Sequence, residues 1–169
     1  ARTSARKPAR RGQSVQRNRE SIELGYRLAM TPTPPTCDIF CAVIDNYGDA
    51  GVCWRLARQL AVEHGWRVRL WIDDPQPLQR LAPDHASGPV EVCHWGSTWA
   101  EADPAEVVIE AFACEPPAAY VAAMAQRQRK PVWLNLEYLS AEAWIASCHR
   151  QPSPHPRLPL VKHFFFPGF

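Results

Sequence analysis

The stretch Ile39-Phe40-Cys41-Ala42-Val43-Ile44-Asp45-Asn46-Tyr47-Gly48-Asp49-Ala50-Gly51-Val52-Cys53-Trp54-Arg55-Leu56-Ala57-Arg58-Gln59-Leu60 decides the fold. Its apolar run predicts a strand over about 37–44, and the segment after the turn predicts a helix over about 50–64. That helix stops at His64-Gly65, where glycine readily takes the left-handed backbone of a helix end. A glycine-containing turn between a strand and a helix is where open α/β proteins usually hold a ligand. Here the turn carries two carboxylates, Asp45 and Asp49, four residues apart. A turn that cradles phosphate would not set acids against an anion. The pair points to a cationic ligand or to acid/base chemistry.

The pattern continues outward from this unit. Trp66-Arg67-Val68-Arg69-Leu70-Trp71-Ile72 alternates apolar and basic residues, which predicts a second strand toward an edge of the sheet. Asp73-Asp74-Pro75 caps a short helix through Leu81. Val90–Trp95 and Glu106–Phe112 read as strands three and four. Residues 116–128 form a helix with Pro at its start and Arg/Lys at its finish, in keeping with the helix dipole. Pro131–Asn135 is strand five, Ser140 is the N-cap of another helix, and the proline-rich link 151–159 leads to a last strand over about 160–166. Strands alternating with helices at this spacing imply an α/β fold, a Rossmann-like half with a mostly parallel sheet and helices on both faces.

Charge is unevenly distributed. Of the formal net charge of +2, residues 1–29 carry eight Lys or Arg and two acids, which leaves the remainder net negative. The body therefore offers no large basic surface for nucleic acid. Residues 1–36 read as a disordered basic tail, rich in Arg, Ser, Gln and Pro. It reads either as a nucleic-acid arm, as a transit peptide, or as sequence upstream of a natural start at Met30, the preferred reading. No apolar run approaches the roughly 18 residues of a membrane span. Six cysteines occur, at 37, 41, 53, 93, 114 and 148, without a CxxC pair or the spacing of a metal site, so no metal is expected. Buried thiols in a reducing cytoplasm are the expectation.

Two explanations of the acidic turn compete. Asp49 could be a helix N-cap and Asp45 an Asx brace of the turn. Alternatively, a helix N-terminus stabilises one anion, and a second carboxylate nearby is relieved of repulsion by a cation or proton. Such a pair suits a general base or a grip on a cationic group, with Gly48 and Gly51 allowing close approach of backbone to ligand and Asn46 and Tyr47 adding uncharged hydrogen-bonding groups. The chain has no dinucleotide fingerprint, Walker loop, GxSxG elbow or HExxH motif. Glu110, Glu115 and Glu137 stand at further strand ends and either line the same acidic cleft or pair with neighbouring elements.

Asp38–Leu60 resembles the opening of the bacterial EarP family, protein-arginine rhamnosyltransferases that modify elongation factor P. Further matches are Val68–Asp74, Val107–Glu115, Trp133–Glu142 and Phe164–Phe169, so the resemblance covers about 37–169. It implies an inverting glycosyltransferase of the two-domain GT-B arrangement, in which residues 37–169 are the N-terminal domain. Rhamnose passes from dTDP-β-L-rhamnose, a donor substrate and not a cofactor, to an arginine of elongation factor P. The resemblance makes Asp49 the general base and Asp45 a second residue needed for activity. It brings Asn46–Asp49 close to the donor, with Tyr47 where the family often has Phe. Most donor-binding residues lie in the family's second half, so a chain stopping at Phe169 reads as a fragment, inactive by itself. The alternatives are a nucleotide-binding Rossmann domain and a non-catalytic module that docks elongation factor P.

Overall fold

Strand β1 (Thr36–Cys41) hides every residue but its first, as a strand must when both faces of its sheet are covered. Its alternate side chains feed two cores. Cys37, Ile39 and Cys41 join one, and Phe40 joins the other. The computed structural model describes residues 33–45, 47–96 and 102–168. After β1 come α1 (Gly48–Val62), β2 (Arg67–Ile72), α2 (Gln76–Leu81), a short 3-10 turn (His85–Ser87), β3 (Val90–His94) and β4 (Val107–Ala111). Then follow α3 (Ala118–Gln126), β5 (Val132–Leu136), α4 (Ile145–Cys148), β6 (Pro152–Pro154) and β7 (Val161–Phe165).

Among the described residues the strands form one sheet in the order β3-β2-β1-β4-β5-β7-β6. All neighbours are parallel except β6 and β7. Ala50, Cys53 and Ala57 of α1 and Leu78 of α2 pack on one face. Tyr120, Val121 and Met124 of α3 pack on the other. The expected α/β fold with a mostly parallel sheet is therefore observed. The strand order reverses between β1 and β4, and the crevice beyond the carboxyl ends of those two strands is the ligand-binding place of such sheets.

The structure revises several element boundaries. Strand β1 ends at Cys41 rather than near Ile44, because the next amides leave the ladder for side-chain acceptors. Val43 N–H donates to Asp73 Oδ1 at 2.8 Å and Ile44 N–H to Asp49 Oδ2 at 3.0 Å. Ile44, apolar as it is, stands 81% exposed. Strand β2 is second from the edge, since β3 pairs with its outer side. Ser140 caps no helix; its hydroxyl accepts the Glu142 amide in a local turn at 3.2 Å, and α4 begins at Ile145. The proline-rich link contributes β6, an edge strand, which is where a strand tolerates proline. The tail expected over residues 1–36 lies outside the described residues as far as residue 32.

Asp38 is the buried charge at the centre of the sheet, fully shielded from solvent. The guanidinium of Arg69 on β2 grips it bidentately, Nε to Oδ1 at 2.6 Å and Nη2 to Oδ2 at 2.7 Å. Trp71 Nε1 and the Ala105 amide also donate to it, at 3.1 and 3.0 Å, as does the Tyr120 hydroxyl. Of the two arginines of β2, Arg67 is exposed and the half-buried Arg69 is the partner of Asp38. Burial, and then the Asp38 charge, push the Tyr120 phenol upward, so it remains a donor.

Replacing Asp38 by Ala leaves Arg69, Trp71 and Tyr120 without their shared acceptor. Breaking one side of a buried ion pair destabilises by about 3–5 kcal/mol. Urea denaturation of Asp38→Ala should register a loss of that order, while Arg58→Ala on the exposed side of α1 should stay within about 0.5 kcal/mol of the parent.

Candidate functional site

The turn after β1 sits at the reversal of strand order, and its geometry is built from main chain. Gly48 N–H donates to the Asp45 carbonyl at 2.7 Å, closing the turn, and Gly51 N–H donates to the Tyr47 carbonyl at 2.9 Å as α1 begins. Tyr47 occupies the N-cap position of α1 and makes no side-chain cap bond. Its hydroxyl accepts instead from Arg80 Nη1 of α2 at 2.9 Å. Asn46 lies outside the described residues.

Asp49 is 1% exposed and stands in the first turn of α1, where the helix dipole favours a carboxylate. It does not cap the helix. Its Oδ2 reaches backwards and accepts the amides of Ile44 and Asp45, at 3.0 and 2.9 Å. Its Oδ1 accepts the Tyr138 hydroxyl at 3.0 Å. The capping explanation of Asp49 is therefore replaced: the acid organises the loop in front of the helix and leaves one oxygen on the side of Tyr138. Asp45, by contrast, is exposed. A Cβ built on Gly48 would meet Asp45 Oδ2 at 2.8 Å, so the Asp45 carboxylate lies directly over the glycine. The two acids share one turn in opposite environments, one enclosed and one open.

The loop after β5 completes the site. Tyr138 stacks on Phe112, ring centroids 4.0 Å apart and planes within 10°. Phe112 and Ala113 have φ of 57° and 54°, a left-handed backbone that side chains disfavour. The turn is held by Phe112 N–H on the Leu136 carbonyl at 2.7 Å and by Ala113 N–H on Asn135 Oδ1 at 3.0 Å. Buried Asn135 also donates to Glu137 Oε1 at 2.6 Å. Beside these residues runs a mostly apolar groove of about 830 Å³ lined by Gly48, Arg55, Phe112, Glu137, Tyr138 and Phe165 among others.

The sequence placed Glu110, Glu115 and Glu137 on one rim, and the structure separates them. Only Glu137 joins the groove beside Gly48 and Tyr138. Glu110 and Glu115 line a different hollow with Trp133 and Lys162. Glu110 Oε1 pairs with Lys162 Nζ at 2.5 Å, and its Oε2 accepts Trp133 Nε1 at 3.1 Å. Burial raises Glu110 above its ordinary value of 4.5, with Lys162 and Trp133 pulling the other way. The explanation that Glu110 pairs with a neighbouring element is the correct one for that residue. Trp95 packs edge-on to Phe40 and donates to the Cys41 carbonyl at 3.0 Å; Ser97–Trp99 lies outside the described residues.

The six cysteines are free. Burial pushes the thiols of Cys37 and Cys114 up to about 12, which removes the thiolate needed for nucleophilic or metal chemistry. Among the described residues no group of three or more His, Cys, Asp or Glu side chains could hold a metal ion, and no helix is long and apolar enough to cross a membrane.

A family model described as Elongation-Factor P (EF-P) rhamnosyltransferase EarP matches residues 37–169. The chain belongs to the EarP family. It is 58% identical over 139 residues to a protein-arginine rhamnosyltransferase of Pseudomonas aeruginosa, across 78% of this chain and 37% of that protein. To the enzyme of the same name from Neisseria meningitidis serogroup B it is 47% identical over 146 residues, covering 81% and 37%. The chain thus spans little more than a third of the length of these curated relatives. The EarP match contains the whole turn, the Phe112 corner and the Tyr138 loop.

Two consequences of this geometry are measurable. Gly48→Ala should leave stability within about 1 kcal/mol, because only the tip of Asp45 has to move, yet it should displace that carboxylate and weaken binding of a cationic ligand at the turn. Denaturation and binding measurements on the one variant separate the two effects. For Glu110, the folded state binds its proton more tightly than the unfolded chain does, so its contribution to stability falls as pH rises through and above 4.5. The stability-against-pH curve of Glu110→Gln should lack that decline.

Proposed function

We propose that this domain supplies the base and the acceptor side of an inverting GT-B enzyme that transfers rhamnose from dTDP-β-L-rhamnose to an arginine of elongation factor P. The observation that carries the reading is the Asp49 carboxylate at the sheet's reversal point, with Oδ2 tied to two amides and Oδ1 accepting the hydroxyl of Tyr138, a residue that lines the groove. A guanidinium is planar, cationic and rich in donors, which suits it to paired carboxylates. Family membership and relatives named protein-arginine rhamnosyltransferases support the same assignment.

The chemistry follows from the acceptor. Arginine's pKa exceeds 12, so a carboxylate does not strip its proton in the ground state. Proton transfer must accompany formation of the C–N bond, as positive charge builds on the attacking nitrogen. In our reading Asp45, exposed at the mouth of the turn, holds and orients the guanidinium. Asp49 accepts the proton as the nitrogen attacks the anomeric carbon in line with the departing diphosphate. Tyr47 and Gly48 frame the reacting groups from the same turn, and Asn46, between Asp45 and Tyr47 in the sequence, is assigned to substrate binding with them. The donor is a substrate and no cofactor enters. The setting we assign is cytoplasmic, with no role for nucleic acid or membrane.

The test is a transfer assay with dTDP-β-L-rhamnose and elongation factor P in the full-length enzyme. Asp49→Asn should lower kcat by at least about a hundredfold, the lower end of the usual range for general-base catalysis, while acceptor binding persists. Asp45→Asn should weaken acceptor binding as well as turnover. An Asp49→Asn enzyme at near-parental rate would refute the assignment. Binding of elongation factor P without any transfer by the parent would favour a docking module instead.

A further inference from the structure

Among the described residues three donors reach Asp49, and they are not equivalent. Two are main-chain amides that hold Oδ2. A proton arriving at Oδ2 would have to displace both, so Oδ1 is the oxygen that can take one. The sole side-chain donor on Oδ1 among the described residues is the Tyr138 hydroxyl, at 3.0 Å. Tyr138 comes from the far side of the reversal point, 89 residues along the chain, and its ring is clamped flat on Phe112 at 4.0 Å. Phe112 in turn sits on the left-handed corner pinned by Leu136 and Asn135. The hydroxyl is thus delivered by a rigid stack, although the residue itself is 53% exposed.

We propose that Tyr138 is the positioning residue of the base: its hydroxyl, held by the stack on Phe112, fixes the orientation in which Asp49 Oδ1 meets the acceptor proton. This rests on the assignment of Asp49 as the base. A locked rotamer keeps the reacting atom within the narrow distance that catalysis requires. Partial desolvation and the bond to Asp49 push the Tyr138 phenol up to about 12, so Tyr138 stays a donor throughout the working range. The other titratable groups around Asp49 are Asp45 on the same turn, Cys41 at the end of β1 and Cys53 of α1. The bond to Cys41, and then burial, keep Cys53 a neutral thiol. Arg55 and Glu137 face the adjoining groove. Of these, Tyr138 alone donates to Oδ1.

The experiment is steady-state transfer by the full-length enzyme, with kcat and acceptor KM separated for Tyr138→Phe and Asp49→Asn side by side. Phenylalanine keeps the ring on Phe112 and removes only the hydroxyl. In Tyr138→Phe kcat should fall roughly tenfold, because the reacting oxygen is no longer held in place, while the acceptor KM stays within about twofold. 3-Fluorotyrosine at position 138, a donor of the same shape, should keep kcat within about threefold of the parent. A Tyr138→Phe enzyme with parental kcat, or one whose loss falls on KM, overturns the proposal. An Asp49→Asn enzyme at parental rate overturns the base assignment itself, and the two failures are told apart by which variant produces them.

Discussion

A fully buried carboxylate at the middle of β1 governs the rest of this domain. Asp38 is withdrawn from water at a position where an isolated ion would cost several kcal/mol, and it is accommodated because five donor groups converge on it. Those donors come from β2, from the segment leading into β4 and from α3. The carboxylate therefore ties the strands on both sides of β1 to the helix that covers them. Because β1 is held in this way, the point at which the chain leaves the sheet is held too. The acidic turn begins there, at the reversal of strand order between β1 and β4.

At that turn two aspartates four residues apart are given contrasting surroundings. Asp49 is enclosed, pinned by amides of its own loop, and placed in the first turn of α1. Asp45 is exposed and drawn over Gly48. Like charges this close are tolerable when one is stabilised by fixed dipoles and the other by solvent. The arrangement separates the two tasks that a guanidinium acceptor imposes: an open acid can hold a cation, and an enclosed, oriented acid can take a proton as charge develops.

Much of this was legible in the chain. The apolar run at 39–44, the glycines of the turn and the alternation of strands with helices identify an α/β sheet, because periodicity and turn chemistry are local properties. Asp45 and Asp49 stood out as acids where phosphate-binding turns carry none. Asp38 also carries a signal, a lone acid inside an apolar strand with Arg69 in the following one, but charge pairing across strands depends on register, which local periodicity does not give. The end of β1 was misplaced for a similar reason. Ala42–Ile44 looks like strand, yet the amides of Val43 and Ile44 are claimed by Asp73 and Asp49, residues whose reach is set by the fold.

The sequence by itself determined the class of the fold, the position of the turn and the chemical kind of the residues it carries, since each depends on neighbours within one or two turns of chain. Tertiary structure alone decided which acids share a site. It set Glu110 against Lys162 across β5, left Glu137 beside the groove, and brought Tyr138 from 89 residues away onto Asp49. The reason is geometric. Strand alternation assigns each side chain to one face of the sheet, but parallel pairing and the reversal of strand order decide which faces and which strand ends meet.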